Sequence, residues 1–426
     1  MRPLRKNLPW LKTFAAGMLV GALNSCATTT EAPTPPPAAP PVEVTSSVAA
    51  PSAQPESALV SRPFDEALTQ AVNSLFAQVQ ARPDGNILVI DPMIDGVTAM
   101  QTAATRRMAG QIAELVRSQN SSFDLQPFTA NNLRRSPRVL LGTLTPINSD
   151  GQPSGVREAY RICLALTDLK SSKVLATTAA RASMAGVDHT PSAYFTDSPA
   201  WMKDPATESY IQTCHNSKPG DAIQTAYADG LGAGALINNA IAAYDAGRYS
   251  EALERYTSAL ELPAGHQLRV FNGIYLANLK LGRQTAAADA FGRIVDYGLA
   301  RNRLAVKFLF KPGTVAFVPD KQLSAHYPMW MKEIARRAAQ SKSCLEVVGH
   351  TSRSGAEPLN QRLSQQRAEF IKQRLQSEAP PLAKRVTAQG AGSRENLVAT
   401  GKDDLSDALD RRVVFNVTSC GGSQYY

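Results

Sequence analysis

Residues 345–417 constrain the fold of this 426-residue chain more than any other stretch. A run typical of a buried strand, residues 345–348, breaks at Gly349 into a polar turn over residues 350–355. A helix follows, because apolar residues then recur at helical spacing: Leu363, Ala368, Ile371 and Leu375. Open α/β sheets bind ligands at the carboxyl end of such a strand, so a site is expected at this turn.

Two polar residues of this helix point to the same place. Asn360 and Arg367 are seven residues apart, so they lie about two turns apart on one helix face. Together with the polar turn, this face predicts a shallow polar pocket.

The motif around this pocket is long and keeps its spacing. It consists of Gly349-His350-Thr351-Ser352, Gly355, Asn360, Leu363, Ser364, Arg367 and Ala368, followed by Asp410-Arg411-Arg412-Val413. This pattern resembles the OmpA-like peptidoglycan-binding domain of bacterial envelope proteins. The resemblance covers residues 304–420, about a quarter of the chain.

The resemblance implies a ligand and a binding site. In the family, an Asp and an Arg hold the zwitterionic end of diaminopimelate in the peptide stem of peptidoglycan. Carried over, Arg367 grips the carboxylate, and the site also contains Thr351, Ser352 and Asn360. A guanidinium matches a carboxylate through two parallel hydrogen bonds.

Two positions depart from the family pattern. Ser352 stands where the family has Asp, and Asp410 stands where it has Asn. Asp410 is the milder change, since Asp and Asn are nearly isosteric. Serine brings no charge to the ligand ammonium, and one lost charge-assisted hydrogen bond costs on the order of 1.5–3 kcal/mol. Glu357 is close in sequence and is a candidate substitute.

The chain begins with a targeting pattern over residues 1–26. Basic residues precede a short apolar run, residues 13–23, which is too short to span a bilayer. The run closes on Leu23-Asn24-Ser25-Cys26, which resembles a bacterial lipobox and implies lipid attachment at Cys26. Ala27 rather than Asp follows, which favours the outer membrane. The alternative is an ordinary signal peptide cut near Ala27.

Residues 27–61 are rich in Pro, Ala, Ser and Thr, which predicts an extended linker. The next segment, residues 62–218, predicts an α/β domain with the order α-β-α-β-β-β. It contains a helix over residues 64–79, a helix from Thr98 or Thr102 to about Arg117, and strands over 87–90, 139–144, 160–166 and 173–179. This order is similar to the small α/β domains of envelope lipoproteins that activate penicillin-binding proteins or accompany flagellar and curli assembly.

Asp91 and Asp95 share one loop of this α/β domain and are its strongest catalytic candidates. Paired acids need a third group and a cleft. The domain has no Ser-His-Asp pattern, phosphate loop or metal-ligand spacing, so turn formation is the favoured role. We therefore expect no catalytic residues, no bound metal and no cofactor.

Residues 221–298 predict helices with an internal repeat. Gly247, Ala252 and Tyr256 recur 35 residues later as Gly282, Ala287 and Phe291. The segment resembles tetratricopeptide repeats, whose period is about 34 residues. Either a peptide-binding groove or a spacer fits this pattern.

Four cysteines remain after Cys26, and four cysteines allow three pairings. Each domain holds one couple, which favours Cys163–Cys214 and Cys344–Cys420. Disulfides form in the periplasm. None of the four has metal-ligand spacing.

The sequence therefore predicts a multidomain α/β and α+β protein, with an OmpA-like βαβαββ domain and mixed sheet over residues 301–420. The net charge is +9, but the basic residues are scattered and form no nucleic-acid motif. We predict a non-enzymatic outer-membrane lipoprotein that faces the periplasm, binds peptidoglycan and tethers the envelope or scaffolds envelope proteins. One alternative is an assembly factor that has lost peptidoglycan binding. Another is a hydrolase in the first domain.

Overall fold

The computed structural model describes residues 60–80, 86–319, 324–401 and 405–420. The predicted lipobox and nearly all of the predicted linker lie outside these residues. Within the described ranges, every helix is too short or too polar to cross a membrane.

The first region contains a six-stranded sheet and four helices. Its elements are α1 (Phe64–Ala77), β1 (Ile87–Ile90), β2 (Ile94–Asp95), α2 (Ala103–Gln119), β3 (Asp124–Gln126), α3 (Ala130–Leu133), β4 (Arg138–Ile147), β5 (Ala159–Asp168), β6 (Lys173–Ser183) and α4 (Ala193–Asp197). The strand order is β3-β1-β4-β5-β6, and β2 pairs with β4. β1 runs parallel to β3 and β4, whereas β4, β5 and β6 are antiparallel.

Both faces of this sheet are covered, which explains why all ten residues of β4 are buried. Leu140 faces a core built with α1 and α2, while its neighbours Val139 and Leu141 face a core on the other side. The two predicted helices and four strands are present, and the second helix begins directly after Thr102. The short β2, β3 and α3 were not predicted, because two to four residues are too few to show a periodic pattern.

Helices fill the middle of the chain. They are α5 (Pro205–Asn216), α6 (Thr225–Asp245), α7 (Tyr249–Leu260), α8 (Leu268–Lys280) and α9 (Gln284–Ala300). Gly247 lies in the turn between α6 and α7, and Gly282 lies in the turn between α8 and α9. Their φ values are +75° and +73°, where glycine is favoured. Ala252 and Ala287 are fully buried. The 35-residue repeat thus corresponds to two helical hairpins.

The last region is a second sheet with two long helices. It contains β8 (Arg303–Val306), α10 (Tyr327–Gln340), β9 (Cys344–His350), α11 (Glu357–Glu378), β10 (Val386–Gly392) and β11 (Val413–Thr418). β9 is parallel to β10, and β11 is antiparallel to both β9 and β8. The predicted mixed sheet is confirmed, and with it the α/β and α+β fold class.

One strand of this second sheet comes from far earlier in the chain. β7 (Ala200–Trp201) pairs antiparallel with β8 and extends the order to β10-β9-β11-β8-β7. The pairing was not predicted, because a two-residue strand leaves no sequence pattern. It joins the segment before α5 directly to the C-terminal sheet.

Aromatic side chains also join the helical segment to the C-terminal sheet. The rings of Phe291 and Trp330 are stacked with their centroids 5.4 Å apart. The Trp330 indole N–H donates a hydrogen bond to the Tyr275 hydroxyl at 2.7 Å. Lys307 Nζ donates to the carbonyls of Phe195 and Thr196 at 3.0 and 2.9 Å. The C-terminal region therefore depends on contacts with the rest of the chain.

The structure forms both expected disulfides, Cys163–Cys214 and Cys344–Cys420. The first links β5 to α5 inside the molecule, where both cysteines are buried. The second links the start of β9 to the residues after β11, and Cys420 is exposed.

Candidate functional site

The motif turn begins where β9 ends and is fixed by both neighbouring strands. The His350 amide donates to the Arg412 carbonyl at 3.0 Å, and the Thr351 amide donates to the Gly392 carbonyl at 2.9 Å. The Asn396 side-chain amide donates to the Thr351 carbonyl at 2.7 Å. The backbone of the turn is thus held from three sides before any ligand binds.

Ser352 and Asn360 meet at this turn. Ser352 Oγ is 3.2 Å from Ser354 Oγ. Asn360 Nδ2, on the first turn of α11, donates to the Ser354 carbonyl at 3.1 Å. Gly355 has a φ of +86°, which lets the chain reverse into the helix. Asn360 therefore shapes the turn in addition to any contact it makes with a ligand.

Arg367 is held by a loop that the motif does not include. Its Nε donates to the Thr314 carbonyl at 3.0 Å and its Nη2 donates to the Lys311 carbonyl at 3.2 Å. The guanidinium carbon is 4.8 Å from the centroid of the Phe310 ring, a cation–π distance. The loop after β8 thus covers the arginine that the motif assigns to the ligand.

The four motif side chains are buried, whereas the sequence predicts that they line a shallow polar pocket. Thr351 is 2% exposed, Ser352 5%, Asn360 6% and Arg367 4%. For Arg367 the physical reason is its cover by the loop after β8, which only tertiary packing creates. A ligand carboxylate that bound the same N–H groups of Arg367 would replace the carbonyls of Lys311 and Thr314.

His350 and Arg412 lie beneath the turn. Burial is the main cause that lowers the pKa of His350 to about 3, and the cations Arg412 and Arg303 lower it further. The imidazole is therefore neutral at physiological pH, and its 3.8 Å approach to the Glu395 carboxylate is not an ion pair. Burial lowers the pKa of Arg412 to about 10, so this guanidinium stays charged.

Asp410, which replaces the family's Asn, organises the loop after β10. Its carboxylate accepts hydrogen bonds from the backbone amides of Leu397, Val398 and Ala399 at 2.6, 2.9 and 2.6 Å. Burial raises the pKa of this carboxyl above its usual range, while the three amides act in the opposite direction. No sequence pattern indicated this role of Asp410, since the three amides belong to another segment.

The Glu357 carboxylate makes contacts within the protein. Its carboxylate accepts from the Ser393 backbone amide at 3.2 Å and from the Ser393 hydroxyl, and it pairs with Arg394 at 3.4 Å. These contacts tie the start of α11 to the loop after β10, so Glu357 already has partners other than a ligand.

The two acids of the first region have separate roles. Asp95 Oδ1 accepts from the backbone amides of Val97 and Thr98 at 3.0 and 2.6 Å, which is the expected turn chemistry. Asp91 is buried and accepts from the Tyr227 hydroxyl at 2.8 Å. Burial raises the pKa of Asp91 to about 7. Among the residues that the structure describes, no group of three His, Cys, Asp or Glu is placed to hold a metal ion.

The comparison with protein families decides what the C-terminal region is. Residues 310–408 match the OmpA family. This match covers the motif turn, α10, α11 and β10, whereas β8 and β11 lie outside it. The OmpA family domain is thus established for about a quarter of the chain, as its motif indicates.

Solved structures that are similar to part of this chain include the following three. The periplasmic domain of Helicobacter pylori MotB is 14% identical, with a TM-score of 0.23 over 28% of this chain and 75% of that one. The cell wall anchor of the T6SS from Pseudomonas aeruginosa is 23% identical, with a TM-score of 0.23 over 30% and 95%. The peptidoglycan-associated lipoprotein from Burkholderia pseudomallei is 21% identical, with a TM-score of 0.23 over 28% and 93%. No curated protein matches the chain.

Proposed function

We propose that this chain is an outer-membrane lipoprotein that faces the periplasm and binds peptidoglycan non-covalently through its OmpA family domain. The observation that carries the proposal is the family match over residues 310–408, with Thr351, Asn360 and Arg367 in the motif positions. Its role is to tether the envelope or to present its other segments to envelope proteins.

The proposed ligand is the diaminopimelate of the peptide stem. Arg367 supplies a guanidinium for the carboxylate, because its five N–H donors form a planar fork. Ser352 supplies only a neutral acceptor for the ammonium. Wild-type binding is therefore weak by the standard of a site that holds both charges.

A second candidate function follows from the same two residues. Ser352 removes one charged contact, and Arg367 already donates to the carbonyls of Lys311 and Thr314. Both observations favour a domain that has lost peptidoglycan binding and serves a cell-envelope machine as a non-enzymatic assembly factor.

Sedimentation of the full-length protein with purified sacculi separates the two functions. We expect weak binding by wild type and stronger binding by Ser352→Asp. The gain in affinity is at most roughly 10- to 150-fold, which corresponds to one charge-assisted hydrogen bond. Ser122→Asp is the matched control, since it adds the same charge at an exposed position of the first region. All samples share one salt concentration, because salt screens the attraction between charged groups of the protein and the sacculus.

Two substitutions of Arg367 are needed to separate its effect on binding from its effect on folding, because Arg367 also holds the loop after β8. Arg367→Ala is expected to abolish sacculus binding, and Arg367→Lys to keep the charge but lose the bidentate contact. Thermal unfolding of each variant reports whether the fold is intact. If folded wild type and Ser352→Asp both fail to sediment with sacculi, the assembly-factor function replaces the first proposal.

Membrane fractionation tests the anchor. If Cys26 carries the lipid, Cys26→Ala moves the protein from the membrane pellet into the soluble periplasmic fraction. A variant that stays in the pellet after a high-salt wash contradicts the lipid anchor.

A further inference from the structure

A second pocket lies beside the motif turn, between the first region and the OmpA family domain. It has a volume of about 320 Å³. One wall is the end of β4 and the loop that follows it, and the other wall is the turn and the loop after β10. Arg157 Nη2 donates to the Leu397 carbonyl at 3.4 Å and bridges the two walls.

The pocket is positively charged. Arg157, Arg353 and Arg394 line it, and none of its lining residues, all in the described ranges, is an Asp or a Glu. Acids close to the lining residues have other partners or face solvent: Asp410 accepts from the Leu397 and Ala399 amides, Glu357 pairs with Arg394 at 3.4 Å, and the Glu395 side chain is 60% exposed. Several guanidiniums in one concave site favour an anionic ligand that accepts paired hydrogen bonds.

The pocket adjoins the proposed diaminopimelate site. Arg353 directly follows Ser352 in the turn. Asn396, which lines the pocket, donates from Nδ2 to the Thr351 carbonyl at 2.7 Å. Its Oδ1 is buried and has no hydrogen-bond partner among the described residues, so one neutral acceptor beside the pocket is unpaired. A ligand that enters the turn would therefore meet cationic donors and lie next to this buried acceptor.

We propose that this pocket binds a second carboxylate of the same peptidoglycan peptide stem, with Arg353 and Arg157 as its principal contacts. The inference rests on the proposed function and extends its site across the boundary between two regions. A peptide stem fits better than a lipid phosphate, because it carries carboxylates and amide N–H groups on one short chain. The added contact offsets part of the affinity that Ser352 loses.

Sacculus sedimentation of full-length variants tests this inference. Arg353→Gln and Arg157→Gln are each expected to weaken binding about 2- to 5-fold, and the double variant about 10-fold, since these arginines are partly exposed. Arg353→Gln is the decisive single change, because Arg157 also bridges the two walls. Arg135→Gln is the matched control: it removes an exposed arginine before the opposite end of β4, and its binding is expected to equal wild type.

A chemical arm identifies the carboxylate. When the free carboxylates of the sacculi are converted to amides, the advantage of wild type over the double variant is expected to disappear. A second arm uses phosphatidylglycerol vesicles. The double variant is expected to bind them as wild type does.

The outcomes separate this inference from the proposed function. If wild type binds sacculi, Arg367→Ala does not, and the double variant binds as wild type does, the second pocket is not part of the site. Loss of vesicle binding with unchanged sacculus binding would overturn the inference in favour of a lipid phosphate. If no form binds sacculi, the proposed function fails and the inference fails with it.

Discussion

In each sheet a buried titratable side chain lies at the end of a parallel strand, but the two side chains are of opposite type. Asp91 follows β1 in the first sheet, and His350 ends β9 in the OmpA family domain. Burial raises the pKa of Asp91 to about 7 and lowers that of His350 to about 3. One physical cause, the removal of water from a charge, thus favours the neutral form at both places.

The two groups have opposite effects on stability against pH. The folded state holds a proton on Asp91 that the unfolded chain releases above about pH 4, so this contribution to stability falls as pH rises from about 4 to 7. The folded state keeps His350 neutral, whereas the unfolded chain protonates it below about pH 6.5. This contribution therefore falls as pH drops from about 6.5 to 3. Between pH 4 and 6.5 the two slopes largely cancel.

The loops also differ in what covers them. Asp91 meets Tyr227 of α6 beside a cavity of about 50 Å³, which is an internal joint between two regions. The turn after His350 borders the 320 Å³ pocket instead. Helix α6 thus packs against the loop after β1 and joins two regions, whereas the turn after β9 borders a candidate binding pocket.

The largest effect we expect in this comparison concerns the disulfide that each sheet carries. Replacing both cysteines of either pair by Ala is expected to lower the free energy of unfolding by about 4 kcal/mol in the chain-entropy model, since each closes a long loop. Chemical denaturation measures this loss. The pairs differ in access, because Cys420 is exposed and Cys163 and Cys214 are buried.

Mild reduction of the native protein therefore cleaves Cys344–Cys420 first. Alkylation followed by peptide mass mapping reads out the order. Equal labelling of all four cysteines at early times contradicts the difference in access.

A smaller effect is expected from Asp91→Asn, which keeps an acceptor for Tyr227 and removes the ionisation. The variant should be more stable than wild type at pH 8 and should lose stability on acidification from pH 6.5 to 4, by roughly 2–3 kcal/mol, because the His350 slope is no longer opposed. Unfolding midpoints from pH 4 to 8 measure both changes. His350→Gln is the converse variant, and its stability is expected to fall as pH rises over the same range. Parallel curves for wild type and both variants would show that Asp91 and His350 do not cause the pH dependence of stability.

The smallest effect is expected from Tyr227→Phe. It removes the hydroxyl that donates to Asp91 at 2.8 Å and should cost about 1 kcal/mol, more at pH 8 than at pH 5, since the ionised carboxylate loses more. Tyr256→Phe is the control: that buried hydroxyl has no partner among the described residues, so its removal should cost no stability. Equal losses for the two variants would assign the effect to packing rather than to the Asp91 contact.

The sequence by itself determined the elements that repeat a burial pattern over several residues. The helix that carries Asn360 and Arg367, the strand before it and the long strands of the first sheet were predicted because each alternates or recurs with the period of its backbone. The OmpA family motif and the two cysteine pairs also follow from residues that stand in the sequence itself. These features identify the domain but not the environment of its site.

Only the tertiary structure decided which distant segments meet. The carbonyls of Lys311 and Thr314 cover Arg367, β7 extends a sheet whose other strands begin at residue 303, and Arg157 reaches Leu397. No local period encodes these contacts, because each depends on how complete elements pack and on single polar groups finding partners as water is excluded. The pattern therefore predicts which residues form the candidate site, and packing decides how buried these residues are and which second pocket lies next to them.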